Sequence, residues 1–322
     1  MKPHYFKFYF LNTLLTIALC GAYCFLGGIL NIVIGIMIAA LLGTVMHREH
    51  IVLGVTNTLL ILVVLTIFLG PLQALISGVP MILLGLTLAL GTRVKMNMYY
   101  MILLCTVLYL LDLLVGLKLA GGDVTFSSMM LDSGSQMREM MQMYYPEPEY
   151  QALIEQVISA TVDTMIMLAP AIFTIICTML SYALISVYKK IQMVQKTDMS
   201  FLIPFGKLRA EKQFAILYLV LFVVITFAKE GLFVDAAANV LLILSFLFFA
   251  LGLSVFNYKL KQGGTGSTMR KLLTAALICF STMFFMIPFF ALVLCGLTDA
   301  FFDYRGLSPK ETQENNNRQN RL

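Results

Sequence analysis

Several polar residues, including Asn57, lie inside otherwise apolar stretches of the chain, and four of them are the best placed to do chemistry. They are two acids and two amides: Asp112, Asp163, Asn31 and Asn239. Asp112 stands in "LYLLDLLVGLK" and Asp163 in "ISATVDTMIMLAP". A carboxylate in lipid costs at least about 2.5 kcal/mol, so these side chains should face protein or a water-filled cavity. They are candidates for binding a solute or handling a proton. Hydration of both acids near the membrane surface is the alternative.

The apolar stretches around these residues predict an all-α polytopic membrane protein. The 322 residues are 60% hydrophobic and only 12% charged, whereas soluble domains average about 25% charged residues. A membrane-spanning helix needs about 20 apolar residues. Clusters of Gly, Pro or charged residues mark the breaks between one such helix and the next. On this basis we predict about nine transmembrane helices, at residues 6–26, 28–46, 51–69, 72–92, 97–117, 157–187, 213–229, 233–256 and 272–297.

The lysines and arginines fall mainly on one side of this predicted topology. With the N-terminus inside, fifteen of the 22 lie in inner segments, and the outer loops hold only Lys118, Arg138 and Lys229. Basic residues accumulate on the cytoplasmic side of membranes. We therefore expect a multi-pass protein of a bacterial inner membrane with a cytoplasmic N-terminus, whose partner is the lipid bilayer and not a nucleic acid. Nine spans would leave the chain after Leu297 outside.

Loop lengths divide the chain into four predicted regions. Residues 1–117 form a five-helix membrane bundle with minimal loops, and residues 118–156 form an external amphipathic segment. Residues 157–300 form a four-helix bundle with a long basic cytoplasmic loop at 188–212. The tail 301–322 ends in "SPKETQENNNRQNRL", whose polar composition predicts disorder.

A methionine-rich stretch, "QMREMMQMYYPEPEY" at residues 136–150, lies in the external segment. Four of its residues follow the i, i+3, i+4, i+7 spacing of an apolar helical stripe: Met137, Met140, Met141 and Tyr144. This spacing predicts an amphipathic helix that acts as a lid over an outward cavity near Asp112 and Asp163, or rests on lipid. The alternative is a Cu(I) site in which thioethers, including those of Met129 and Met130, bind the metal.

Other residues with ligand chemistry give weaker patterns. His47 and His50 are three residues apart, and Cys20 and Cys24 are one helical turn apart, but two ligands make a poor metal site. The sequence contains no phosphate-binding glycine loop, nucleophile elbow or metalloprotease histidine pair. We therefore expect no metal, no cofactor and no enzymatic activity.

Small residues repeat at four-residue spacing along the first two predicted helices. They are Ala18, Ala22, Gly35, Ala39 and Gly43. Such repeats allow close approach of helices in a membrane. They are explained either by packing within the chain or by a docking face for another membrane subunit.

The C-terminal third carries the motifs of a known family. Asn239 precedes an apolar run into Gly252-Leu253-Ser254 and Tyr258, and the end of the last predicted span reads "GLTDAFFDYR". The residues of the second motif are Gly296, Leu297, Asp299, Asp303, Tyr304 and Arg305. With the external helical segment in mid-chain, these motifs resemble the YybS-like family of bacterial membrane proteins, a domain of unknown function.

This family is distantly similar to the substrate-binding subunits of energy-coupling-factor vitamin transporters. The resemblance implies a transport-type subunit that lacks its own ATPase, captures a solute from outside and docks on a coupling subunit through small residues. The alternative is a non-transporting scaffold for envelope or cell-division machinery, which would use the basic loop 188–212 and the small-residue faces to bind its partners.

Overall fold

A computed structural model describes residues 3–26, 28–48, 51–119, 125–145, 147–228, 231–283 and 286–307. Within these residues the chain is helical, as predicted, and contains no strand. The helices are α1 (Pro3–Phe25), α2 (Ile29–Arg48), α3 (Ile51–Leu69), α4 (Pro71–Arg93), α5 (Met98–Leu119), α6 (Phe126–Tyr144), α7 (Pro148–Val194), α8 (Lys212–Phe227), α9 (Leu232–Gln262), α10 (Ser267–Met283) and α11 (Met286–Phe302), with a 3-10 turn at Phe205–Lys207.

Five of the described helices, α2, α4, α5, α7 and α9, are long and apolar enough to cross a membrane. Parts of α1, α3, α8 and α11 are apolar but shorter. The ninth predicted span, 272–297, differs from the structure because it is divided between α10 and α11. Pro288 lies in the first turn of α11, where proline is well tolerated because its missing N–H has no helical partner there.

The helices group into two compact units. The first contains residues 1–169 and 173–202, and the second contains residues 170–172 and 203–322.

In the first unit, small residues bring α2 and α4 into close contact. A Cβ added to Gly43 would lie 2.9 Å from the carbonyl oxygen of Gly85, and one added to Gly85 would lie 3.1 Å from that of Ala39. Ala39 is fully buried. Of the five small residues proposed as a docking face, Ala18 is exposed, whereas Ala22 packs on the core of the unit and Gly35 contacts Met81. Packing within the chain therefore accounts for most of this repeat.

The C-terminal half of α7 is held to α4 and α5 by hydroxyl groups. The Thr92 hydroxyl lies 3.0 Å from the hydroxyl of Tyr188, which is fully buried. Thr106 donates a hydrogen bond of 3.2 Å to Ser181. Buried hydroxyls are thereby satisfied inside an apolar bundle.

The N-terminal half of α7 pairs with α6 as an antiparallel hairpin. Phe126 packs edge-on against Phe173, with ring centroids 4.9 Å apart. Gly134 is buried against Val162, and Arg138 lies 3.8 Å from Glu155. Residues later in α6 therefore contact residues earlier in α7, as expected for two antiparallel helices.

The predicted methionine stripe does not face α7. Met137, Met140 and Tyr144 are exposed, and Met141 is half-buried. The α6 face that packs is the one with Gly134, because a residue without a side chain lets the two helices approach closely. The role of these four side chains as a lid over a cavity stays a prediction.

In the second unit, α9 and α11 cross at two glycines of the family motif. A Cβ added to Gly252 would collide with the carbonyl of Leu292, and one added to Gly296 would collide with the carbonyl of Phe248. Phe249 also stacks on Phe289, forty positions further along, with centroids 5.1 Å apart. Further along both helices, Ser254 of α9 accepts a hydrogen bond from Arg305, which follows the end of α11, so the two helices run in the same direction.

Arg305 joins the end of α11 to the end of α9 and to the segment before α8. Its guanidinium donates to Asp299 Oδ2 at 2.7 Å, to Ser254 Oγ at 2.7 Å, and to the carbonyls of Gly206 and Leu208 at 3.0 and 2.6 Å. The hydroxyl of Tyr258 donates to the Arg305 carbonyl at 3.4 Å. We call these residues the Arg305 cluster.

The Arg305 cluster alters the expected position of the chain that directly follows Leu297. It holds the end of α11 beside residues 206–208, within the basic loop 188–212, and beside the end of α9, which carries Lys259 and Lys261. A nine-span count would put this part of the chain at the opposite side. The reason for the difference is that the run 272–297 belongs to two helices, α10 and α11, where one span was predicted, and α11 runs in the same direction as α9.

Candidate functional site

The first unit contains a cavity of about 370 Å³. Residues of α1, α2, α4, α5 and α7 line it. Its polar lining consists of Tyr23, Asn31, Ser77, Tyr109 and Asp112. The other lining residues are apolar or glycine, and include Gly35, Pro80, Met81 and Gly116. Two of the four sequence-predicted residues, Asn31 and Asp112, are therefore brought together in one cavity.

Both of these residues have polar groups without partners among the described residues. Asp112 is half-buried and has neither a hydrogen bond nor an ion pair to any described residue. The Oδ1 atom of Asn31 is buried and accepts no hydrogen bond from the described part of the chain. Native proteins leave few buried polar groups unpaired, and each exception calls for an explanation such as a ligand or water.

The positions of the lining residues follow from helical periodicity. On α5, Tyr109, Asp112, Leu113 and Gly116 have the i, i+3, i+4, i+7 spacing of one helical face. On α4, Ser77, Pro80, Met81 and Leu84 repeat this spacing. Tyr109 and Gly116 could thus have been found from their spacing to Asp112. Tyr23 and Ser77 belong to other helices, so no spacing in the sequence relates them to Asp112.

The other two predicted residues do not line this cavity. Asp163 is exposed on the part of α7 that pairs with α6. Asn239 belongs to the second unit, where its side-chain oxygen accepts a hydrogen bond of 3.0 Å from the backbone N–H of Ala171. Asn239 therefore has a structural role beside Pro170, and the predicted pair of acids is reduced to Asp112.

The arrangement is suited to binding. A cavity of this size is at the lower end of the range for small-molecule sites, and a mostly apolar lining with a few convergent polar groups is typical of them. Among the described residues no group of three His, Cys, Asp or Glu could hold a metal ion. His50, one of the two histidines considered as ligands, lies outside the described residues.

The length and composition of the described helices are those of an α-helical membrane protein. The family model described as "Predicted membrane protein (DUF2232)" matches residues 14–300. Because this match covers most of the chain, the protein belongs to that family. No curated protein and no solved structure matches the chain.

Proposed function

We propose that the protein is a transport-type membrane subunit that binds a small solute in the cavity beside Asp112. It has no ATPase of its own and no enzymatic activity, and it works with other membrane subunits. This proposal retains the similarity of the YybS-like motifs to the substrate-binding subunits of energy-coupling-factor transporters. The observation that carries the proposal is the cavity itself, in which Asp112 and Asn31 Oδ1 lack partners among the described residues.

The distribution of basic residues supports an outward-facing cavity. Asn31 follows the start of α2, and Asp112 precedes the end of α5, so both lie in the helix halves remote from Arg48 and Arg93. Basic residues mark the cytoplasmic side. We infer an inner-membrane protein with a cytoplasmic N-terminus, and a cavity in the outer half of the bilayer where an external solute can enter.

Filling the cavity tests this function directly. Gly116 lines the cavity, and a Cβ added to it meets no atom within 4 Å. Gly116→Phe should therefore occupy the cavity without a backbone clash. Gly21→Phe is the matched control, because Gly21 is also a helical glycine with open space beside it and is not a lining residue.

The measurement is binding of a panel of small solutes to the purified full-length protein by thermal shift and calorimetry. We expect at least one solute to bind the wild type and Gly21→Phe but not Gly116→Phe. If every solute that binds does so equally to Gly116→Phe, the cavity is not the binding site and the proposal is wrong.

The scaffold role is the second candidate, and exposed side chains on the α6–α7 hairpin favour it. Met143 and Tyr144 are 84% and 78% exposed. Large exposed apolar patches often mark interaction sites. Copurification discriminates between the two functions: a coupling subunit with ATPases supports transport, and envelope-assembly proteins support the scaffold.

A further inference from the structure

The described lining of the cavity carries an acidic side chain and no basic one. Asp112 is the one ionisable acid or base among the described lining residues if tyrosines are set aside, and no Lys, Arg or His is present there. A carboxylate in an apolar environment is stabilised by a positive charge close by. Since the described lining supplies none, a cationic ligand would provide the missing charge.

The hydrogen-bonding groups of the cavity agree with this charge. The Asp112 carboxylate and the buried Asn31 Oδ1 are both acceptors without donors in the described residues. An ammonium group carries up to three N–H donors and no acceptor. It can therefore donate to acceptors of this kind, whereas an anion would be repelled by Asp112.

The rest of the cavity suits an organic ligand better than a bare ion. Most of the lining is apolar, with the rings of Tyr23 and Tyr109 beside Ile, Leu and Met side chains. Inorganic cations require several oxygen ligands at short distance, while aromatic side chains offer a large apolar surface to an organic body. A volume of about 370 Å³ also leaves room for an apolar body.

We propose that this cavity selects a small organic ammonium compound, with its charged group at Asp112 and Asn31 and its apolar body against the tyrosine rings. This inference rests on the proposed solute-binding function and specifies its ligand class. The same ammonium group could come from a free amine or from the headgroup of phosphatidylethanolamine.

Three probes of similar shape and different charge test the ligand class. Phenethylamine is cationic, phenethyl alcohol is neutral and phenylacetate is anionic. Their affinities are measured by calorimetry on the full-length protein in phosphatidylglycerol nanodiscs, for the wild type, Asp112→Asn, Asn31→Leu and Gly116→Phe. Asp163→Asn is the matched control, because Asp163 is an exposed acid outside the cavity.

We expect phenethylamine to bind the wild type and Asp163→Asn at least tenfold more tightly than either other probe. Asp112→Asn should weaken its binding roughly 10- to 100-fold, the loss typical of a hydrogen bond to a charged group. Asn31→Leu should weaken it by roughly fivefold, as for a neutral hydrogen bond. Gly116→Phe should abolish it.

A repeat with phosphatidylethanolamine in the nanodiscs identifies the source: competition indicates the lipid headgroup, and no competition indicates a free amine.

Three results would overturn the ligand class: no preference for phenethylamine, equal binding to Asp112→Asn, or no amine binding at about 1 mM. These are distinguishable from failure of the proposed function. A neutral or anionic solute whose binding is lost in Gly116→Phe would leave the solute-binding function standing. If no solute of any charge depends on Gly116, both proposals fail.

Discussion

Asp112 in the first unit and Asp299 in the second are both acids within apolar helices, but their surroundings differ. Asp299 is 5% exposed, and Arg305 contacts its Oδ2 through two nitrogens, at 2.7 and 3.1 Å. Asp112 is half-buried, lines a cavity and has no partner among the described residues. An acid in an apolar helix can thus be held by a cation of its own unit, as Asp299 is by Arg305, or can lack a partner among the described residues, as Asp112 does.

The largest expected difference concerns the side of the membrane on which the Arg305 cluster lies. Leu307→Cys and Lys207→Cys should react identically with an impermeant maleimide, because Arg305 holds the end of α11 beside residues 206–208. In intact cells both should be protected, whereas Ser133→Cys on α6 should be labelled. Labelling of Leu307→Cys with protection of Lys207→Cys would contradict the arrangement of α10 and α11.

Removal of the partner should destabilise the second unit strongly. Arg305→Met leaves Asp299 buried without its cation, which costs about 3–5 kcal/mol. The apparent unfolding temperature of the purified protein should fall well below that of the control Lys271→Met, whose side chain is exposed. Asp299→Leu combined with Arg305→Met should recover part of the loss because no unpaired charge is left. An unfolding temperature equal to that of Lys271→Met would show that the pair is not structural.

A smaller loss is expected where α9 and α11 cross. Gly296→Ala places a methyl group against the carbonyl of Phe248, so the helices must separate, at a cost of about 1–3 kcal/mol. Gly21→Ala is the control because its added Cβ meets nothing within 4 Å. The unfolding temperature of Gly296→Ala should be lower than that of the wild type, and that of Gly21→Ala should be equal to it or higher. The reverse order would exclude a close crossing of α9 and α11.

The smallest effect on stability is expected at Asp112. Asp112→Asn breaks no contact with a described residue, so the unfolding free energy should stay within about 0.5 kcal/mol of the wild type or rise. Asp299→Asn should lose about 1.5–3 kcal/mol because its hydrogen bonds to Arg305 are charge-assisted. Equal losses in the two variants would remove the distinction between these acids.

Local patterns in the sequence predicted much of the first unit. Gly70 and Pro71 lie between the predicted spans 51–69 and 72–92, and in the structure Gly70 adopts a positive φ of 83° and Pro71 begins α4. Asp112 and Asn31 stood out because polar residues are rare in apolar runs. Tyr23 and Ser77 could not be placed with them, because only the packing of α1 and α4 brings them to the cavity.

The second unit was harder to predict. The run 272–297 is mostly apolar, and its composition did not indicate that it belongs to two helices, α10 and α11. Pro288 could have indicated the start of a second helix, because proline fits the first turn of a helix better than its interior. The motif residues were identified by resemblance, but their physical roles depend on contacts between positions far apart, such as Arg305 with Gly206. No local pattern contains such information.

The length of α7 has a consequence for its position in a membrane. Its 47 residues form one continuous helix about 70 Å long, more than twice the thickness of a bilayer core. Its far end is anchored where Lys189 donates a hydrogen bond of 2.6 Å to the carbonyl of Leu202. A helix of this length that crosses a bilayer extends beyond the hydrocarbon core by more than the thickness of that core, so a large part of it must lie in water or among lipid headgroups.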